Sequence, residues 1–260
     1  MKAYYEDAFV RLYHGDCRDI LPDLAISPAM VVADPPYGQT SLAWDQWSGE
    51  WLSYIAPCIR SLWCFGSLRM FMEHGLWFEA GGWKLSQDLV WEKHNGSSFH
   101  ADRFRRVHES ICHFYRGEWS TIKFFTPTTP DATARTVRRK QRPAHMGHIE
   151  AGAYESQDGG PRLMRSVLYH PSMHGKANHP TQKPVELIKP LIHYGGTMGS
   201  TVIVPFAGAG SELIAAKEIG CPAIGIEIEE VYCEAAAKRL TNTMSFNDVS
   251  VLSPNSADPW

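Results

Sequence analysis

No apolar run in the 260 residues approaches the ~20 that a membrane helix needs. The opening Met1-Lys2-Ala3-Tyr4-Tyr5-Glu6-Asp7 also lacks the basic-then-apolar pattern of a signal peptide. A membrane or exported protein is therefore not expected, and a cytoplasmic one is. There is no CxxC pair: Cys17, Cys58, Cys64, Cys112, Cys221 and Cys233 are scattered along the chain. That spacing argues against a zinc ribbon and reads as reduced, mostly packed thiols. His145 and His148, and likewise His174 and His179, have no cysteines beside them, so no metal is expected. No internal repeat is visible. With 44% hydrophobic and 20% charged residues, the chain suits one α/β domain, or one such domain carrying an insertion.

The net charge of −3 conceals an uneven distribution. From Lys93 to Arg142 there are eleven basic and four acidic residues, a balance of +7 that leaves −10 for the rest. A basic middle in an acidic molecule suits a polyanion-binding face, although solvated basic loops also fit. Periodicity places strands at 8–13, 30–33, 63–65, 82–91 and 110–115, with a helix over 51–62. From Gly117 to Asn178 the pattern fades amid Pro127, Pro130, Pro143, Pro161 and Pro171. Trp119, Phe124, Phe125, Ile149, Tyr154, Leu163 and Leu168 are expected to give that stretch a small core of its own. Order returns with helices at 184–194, 212–219 and 229–240 and strands at 201–204 and 223–226, and residues 246–260 are expected to fray.

The densest chemistry is Asp34-Pro35-Pro36-Tyr37, directly after the apolar run Met30-Val31-Val32-Ala33. A strand ending there carries its carboxylate to the edge where open α/β sheets bind ligands. Two prolines fix φ and remove N–H donors, leaving carbonyl oxygens exposed to the site, and the tyrosine offers a stacking face. An acceptor pair beside a flat ring suits a planar base bearing an amino group. The four residues alone fit a Pro-Pro turn with a core tyrosine equally well.

A second site follows Val202-Ile203-Val204. Pro205-Phe206-Ala207-Gly208-Ala209-Gly210-Ser211 is a small-residue turn from strand to helix, and Glu227 ends the next strand. Such a turn lets backbone approach a ligand, and an acid at the following tip can accept both hydroxyls of a ribose. The third glycine of a dinucleotide fingerprint is missing, because Leu213 stands there. This leaves an adenosine ligand without a pyrophosphate, such as S-adenosylmethionine (AdoMet). Asp16, in His14-Gly15-Asp16-Cys17, is placed at the same sheet edge, where it also fits a helix cap. Thr181, in His179-Pro180-Thr181-Gln182-Lys183-Pro184, can cap a helix, and Lys183 can meet a ligand carboxylate or serve as a surface lysine.

In order and spacing, these pieces resemble the beta class of amino DNA methyltransferases, in which the Asp-Pro-Pro-Tyr motif precedes the glycine turn. Trp91-Glu92-Lys93, His108-Glu109-Ser110-Ile111 and Gly225-Ile226-Glu227 complete the likeness, which covers most of residues 9–240. Val204 departs from it, standing where the pattern usually carries Asp. The resemblance implies a seven-stranded, mixed, Rossmann-like sheet formed by 1–116 and 179–245, with an inserted target-recognition region at 117–178. It implies catalysis by Asp34, Pro35, Pro36 and Tyr37. It implies AdoMet held by Asp16, Cys17, Asp34, Thr181, Gln182, Lys183, Phe206–Ser211, Glu227 and Ile228, that span comprising Ala207, Gly208, Ala209 and Gly210. Arg103, Arg105, Arg106, Arg138, Arg139, Lys140 and Arg142 are then expected to contact double-stranded DNA. Asp at the first motif position favours adenine N6 over cytosine N4. The only Pro-Cys dipeptide, Pro57-Cys58, falls within the expected 51–62 helix, so a cysteine-dependent C5 chemistry is set aside. Methylation of RNA or protein glutamine, a silent DNA-binding protein and a nicotinamide oxidoreductase are the rival readings. The sequence leaves open a homodimer, a cognate restriction endonuclease, and a bacterial or phage-infected host cell.

Overall fold

Continuous apolar runs, not alternating ones, mark strands covered on both faces; Met30–Ala33, Leu62–Phe65, Val202–Val204 and Ala223–Ile226 are such runs, while Val10–His14 alternates. The structure is a computed structural model and describes residues 1–24, 29–41, 45–96, 101–122, 124–139, 152–173, 182–195 and 199–245, without the side chains of Ala29 and Arg139. In chain order the elements are β1 (Tyr5–Glu6), β2 (Val10–His14), α1 (Cys17–Ile20), β3 (Ala29–Ala33), α2 (Trp51–Tyr54), β4 (Ser61–Gly66) and α3 (Leu68–Ala80). Then come β5 (Lys84–Glu92), β6 (His108–Tyr115), β7 (Thr128–Thr129), β8 (Arg135–Arg139), β9 (Gly152–Ser156), β10 (Arg162–Leu163) and β11 (Val167–Tyr169). Last are α4 (Val185–Gly195), β12 (Thr201–Val204), α5 (Ser211–Glu218), β13 (Ala223–Glu227) and α6 (Glu230–Thr241).

Among the described residues, nine strands form one sheet in the order β1-β2-β13-β12-β3-β4-β6-β5-β11. The run β2, β13, β12, β3, β4 is parallel throughout. β6 returns antiparallel between β4 and β5. The fold is therefore mixed α/β, and the expected seven strands carry two short additions at the edges, β1 and β11. Chain order reverses between β12 and β3, which makes their shared C-terminal edge the topological switch point where open sheets bind ligands. Ile203 pairs with Val31, so the turn after β12 and the motif after β3 leave the sheet side by side.

Two glycines fit the C-terminal helices to this sheet. Gly210, at the start of α5, has φ of +79°, a conformation that L side chains rarely adopt. Gly225, in β13, lies beneath Leu213, and an added Cβ there would come within 2.6 Å of the leucine's Cδ1. Close helix–strand packing is thus supplied by a glycine of the strand, where the dinucleotide fingerprint would supply it from the helix.

Three sequence expectations are corrected. The helix expected over 51–62 ends at Tyr54, because Pro57 has no N–H to donate and disfavours helical φ/ψ at Ala56. Pro57-Cys58 therefore lies in a turn with Cys58 exposed, not in a helix. The helix α3, capped by the Ser67 hydroxyl on the Met70 N–H at 3.0 Å, was not expected at all. Its Leu68, Met72 and Leu76 face outward while Met70 and Phe78 are buried, which blurs the one-sided periodicity of an amphipathic helix.

The chain forms two compact units: Met1–Phe125 with Ser166–Trp260, and Thr126–Arg165. The smaller unit contains the antiparallel pair β8–β9 and the short pair β7–β10. The separate small core expected for 117–178 is not formed by the residues named for it. Trp119 and Phe124 stack toward Tyr194, and Leu168 is buried in β11, all within the larger unit. Tyr154 and Leu163 are exposed, and Ile149 lies outside the described residues, as do 246–260. Among the described residues no helix is long and apolar enough to cross a membrane. Nor does any group of three or more His, Cys, Asp or Glu there offer a metal site. The four histidines weighed as ligands (145, 148, 174 and 179) lie outside the described residues.

Candidate active site

Asp34 emerges from β3 with both carboxylate oxygens engaged. The Tyr37 hydroxyl donates to Oδ1 at 2.8 Å, and the Lys183 ammonium donates to Oδ2 at 2.5 Å. Lys183 is only 3% exposed and lies over the rings of Tyr37, Phe65 and Trp91 at 5.8, 5.3 and 5.9 Å. Its Nζ is also 3.6 Å from Glu109 Oε2, and the other Glu109 oxygen pairs with Lys93. Two carboxylates and two ammoniums thus share one enclosed cluster. Burial raises the Asp34 pKa, with the Lys183 ammonium opposing and Glu109 reinforcing. Burial alone would lower Lys183, but Asp34 and Glu109 more than offset it, so the ammonium stays charged. Glu109 is held below its ordinary value because Lys183 and Lys93 outweigh its burial. Tyr37 is raised well above the usual phenol range, by burial first and then by Asp34 and Glu109, and remains a donor.

The second cluster lies at the tips of β2 and β13, which pair His14 with Glu227. Glu227 is 8% exposed, and its carboxylate accepts the Gly208 N–H at 2.7 Å and the Glu229 N–H at 2.9 Å. It therefore fastens the glycine turn to the end of β13. Backbone N–H groups at Gly208, Ile228 and Glu229 thus favour its charged form, and a carboxylate's remaining lone-pair capacity is open to other partners. Gly15 N–H bonds the Glu227 carbonyl at 2.9 Å, and His14 Nε2 lies 3.0 Å from the Ile228 carbonyl. Asp16 caps α1 through the Arg18 N–H at 2.8 Å and pairs with the Arg18 side chain at 2.6 Å. Cys17 is buried, and its thiol is pushed up to about 12, so it stays neutral. Phe206 packs edge-on against Trp51 at 5.3 Å, while Ile228 is exposed. Arg239 donates to the Ala209 carbonyl and to Ser211 Oγ, bracing the turn from α6. Val204, at the departure from the family pattern, is fully buried in β12.

The structure brings Asp34, Tyr37 and Lys183 together, and separately Asp16, Cys17, Gly208, Glu227 and Ile228. Gln182 adjoins Lys183 in the chain, whereas Thr181 lies outside the described residues. Sequence reasoning gave no role to three charges, Lys93 and Glu109 partly buried and Glu212 buried. Lys93 and Glu109 close the ends of the paired strands β5 and β6, and Glu212 is the second residue of α5. Glu212 is 4% exposed, and its pKa is raised to about 7, by burial first and then by Asp34, against the opposing pull of Lys183 and Arg239. The folded state therefore holds this proton more tightly than an unfolded chain, in which the group titrates near its ordinary 4.5. The stability so contributed is complete below pH 4.5 and is lost as pH rises through about 7. Glu212→Gln is expected to stabilise the protein by up to about 3 kcal/mol at pH 8 and by little at pH 4.5. Urea melts at the two pH values check this, and an equal gain at both would refute it.

The loop between β5 and β6 opens at the same sheet edge, since Glu92 pairs with His108 and Gly66 with Ser110. It carries Phe104, 99% exposed, between Arg103 and Arg105. Arg103 pairs with Asp102 on the surface, Arg105 lies against Gly96, and Arg106 contributes to the field at Glu109. Arg138 is exposed on β8 in the smaller unit. The Arg139 side chain, Lys140 and Arg142 lie outside the described residues.

Residues 29–238 match the family model described as DNA methylase, of the N6/N4 type. The chain belongs to the N6/N4 DNA methylase family. Among its curated relatives is the type II methyltransferase M2.LlaDCHI of Lactococcus lactis subsp. cremoris, 26% identical over 94% of both chains. Another is the type II methyltransferase M2.DpnII of Streptococcus pneumoniae, 26% identical over 92% of both. In fold this DNA methylase resembles the M1.HpyAVI–SAM complex, with a TM-score of 0.61, 23% identity, and coverage of 88% of this chain and 99% of the other. It also resembles the cytosine-N4-specific PvuII DNA methyltransferase, with a TM-score of 0.61, 14% identity, and coverage of 97% and 94%.

Proposed function

We propose that this DNA methylase transfers a methyl group from AdoMet to the exocyclic N6 of a flipped adenine in double-stranded DNA. The observation that carries the reading is Asp34, a partly buried carboxylate at the switch point beside the glycine turn, aimed by Tyr37 and Lys183. An aromatic amine is a weak nucleophile because its lone pair is delocalised into the ring. Asp34 and the Pro35 carbonyl each accept one N–H of that amine, which draws the nitrogen toward tetrahedral geometry and frees the lone pair. Tyr37 stacks on the base once it has left the duplex. Catalysis by this chain is positioning plus electrostatics, with no covalent nucleophile.

The cofactor site fits a nucleoside without phosphates. Glu227 keeps acceptor capacity for ribose hydroxyls while tying down the glycine turn, and Leu213 departs from the G-x-G-x-x-G fingerprint of a dinucleotide site. Asp16, Cys17, Phe206–Ser211, Glu227 and Ile228 hold the adenosine portion, and Thr181, Gln182 and Lys183 the amino-acid end. AdoMet, when bound, supplies an electrophilic methyl group. Arg103, Arg105 and Arg106 grip phosphates beside the flipped base. The smaller unit, with Arg138, Arg139, Lys140 and Arg142 on or beside it, reads the target sequence. A second copy of the chain and a cognate restriction endonuclease are its proposed partners, and the cytoplasm of a bacterial or phage-infected cell is its proposed location.

Aspartate at the first motif position supports adenine. Cytosine N4 is the second reading, since one of the solved structures that this chain resembles in fold is the cytosine-N4-specific PvuII DNA methyltransferase. Methylated duplex DNA, digested to nucleosides and weighed, is expected to yield N6-methyldeoxyadenosine, whereas N4-methyldeoxycytidine would reverse the choice of base.

A further inference from the structure

Glu109 enters the catalytic cluster without a task in the methyl-transfer reading. Its Oε2 lies 3.6 Å from the Lys183 ammonium and 3.5 Å from the Tyr37 hydroxyl, the same two donors that occupy Asp34. Each Asp34 oxygen already accepts one of these donors, so an amine received there shares the acceptor capacity of the carboxylate with them. We propose that Glu109 is a positioning residue for Asp34, the alternative acceptor that draws Lys183 and Tyr37 away when the target amine needs the Asp34 oxygens. The proposal rests on the methyl-transfer reading of Asp34.

The geometry makes the exchange short. Each donor already sits between two carboxylates, so a movement on the order of 1 Å changes its partner without stranding a buried charge. Glu109 is kept ionised by Lys183 and Lys93, so it is an acceptor at neutral pH. It is also fixed in place. It belongs to β6, paired opposite Trp91 of β5, and Lys93 N–H bonds the Val107 carbonyl at 2.7 Å. The Lys93 ammonium lies 4.5 Å from the centre of the Trp91 ring, whose N–H is bonded to the His170 carbonyl at 2.8 Å. A carboxylate on a strand ladder with one oxygen anchored gives the second oxygen a defined position. Within the ion-paired cluster two carboxylates, Asp34 and Glu109, face two ammoniums, Lys93 and Lys183, with Arg106 adding to the field at Glu109. Neutralising Glu109 alone leaves two cations to Asp34, which tightens Lys183 on it and weakens it as an acceptor for the amine.

The test is the single-turnover rate of methyl transfer to duplex DNA, measured with AdoMet titrations on the full chain. Glu109→Gln is expected to lower the rate at least ~30-fold while the AdoMet Kd moves less than about threefold. Adding Lys93→Gln removes the surplus cation and is expected to recover at least ~5-fold over Glu109→Gln alone. A merely structural role predicts the reverse, since the double variant then loses more packing than the single one. Glu109→Asp keeps the charge but shortens its reach, and is expected to fall between the parent and Glu109→Gln. A Glu109→Gln rate within about threefold of the parent, or a double variant no faster than the single, overturns the proposal. Should Glu109→Gln fail to fold, Glu109→Asp carries the test, and a parental rate there overturns it. Asp34→Asn is run alongside. If it is active, or if the parent methylates no DNA, the underlying reading falls. If Asp34→Asn is inactive and Glu109→Gln is unimpaired, only the role of Glu109 falls.

Discussion

Asp34→Ala is expected to reduce methyl transfer at least ~10³-fold, equivalent to about 4 kcal/mol of transition-state stabilisation, while AdoMet binding stays within about threefold. The loss is large because the side chain is asked to hold an amine hydrogen while the lone pair localises, an interaction that strengthens toward the transition state. It occurs in an enclosed site where a charge–dipole contact is weakly screened. The variant is expected to fold. Removing Asp34 would ordinarily orphan a buried ammonium, but Lys183 still has Glu109 at 3.6 Å. Labelled-methyl incorporation into duplex DNA, together with a calorimetric AdoMet titration, reads both halves. Retention of more than a tenth of parental turnover would remove Asp34 from the catalytic role.

The same residues show how far the sequence alone reaches. The central strands are legible because runs such as Met30–Ala33 and Val202–Val204 leave no polar face, which only a doubly covered sheet allows. The turns at 34–37 and 205–211 are legible because proline and glycine act on the backbone directly, whatever the tertiary context. The helix α3 is not legible, since Leu68, Met72 and Leu76 are spent on the surface and no pattern within the chain explains them. Nor is the charge cluster. Lys93 and Glu109 stand sixteen residues apart and meet only through the antiparallel pairing of β5 with β6, whose register shifts between Leu85 and Gln87. A local reading cannot fix that register across the long connection from Glu92 to His108. Leu213 gives the sharper lesson. As a missing third glycine it argued against a dinucleotide, yet the close packing that glycine would give is present, supplied by Gly225 across the interface.

Glu227→Ala is expected to produce the complementary defect, raising the AdoMet Kd about 50- to 100-fold, or roughly 2.5 kcal/mol, while turnover at saturating AdoMet recovers to within several-fold of the parent. Two losses combine. Ribose hydroxyls lose a charged acceptor, a contact of about 1.5–3 kcal/mol. The Gly208 and Glu229 N–H groups lose theirs as well, so the glycine turn is no longer tied to the tip of β13. The second loss must also appear without ligand, as a lower melting temperature of the free protein, and this separates a structural component from a purely cofactor-binding one. Glu227→Gln sharpens the point. Its amide keeps one acceptor oxygen but turns an NH₂ toward a backbone N–H, so it is expected to bind AdoMet closer to Glu227→Ala than to the parent. Burial already raises the pKa of Glu227. The charged form is the acceptor, so AdoMet binding is expected to weaken as pH falls toward that raised value. An exposed glutamate would show the same weakening only at lower pH. A Glu227→Ala protein with the parental Kd would place the ribose elsewhere. Paired with Asp34→Ala, which leaves binding and removes chemistry, it tests whether the two clusters on either side of the β3–β12 switch point divide the work as cofactor site and amine site.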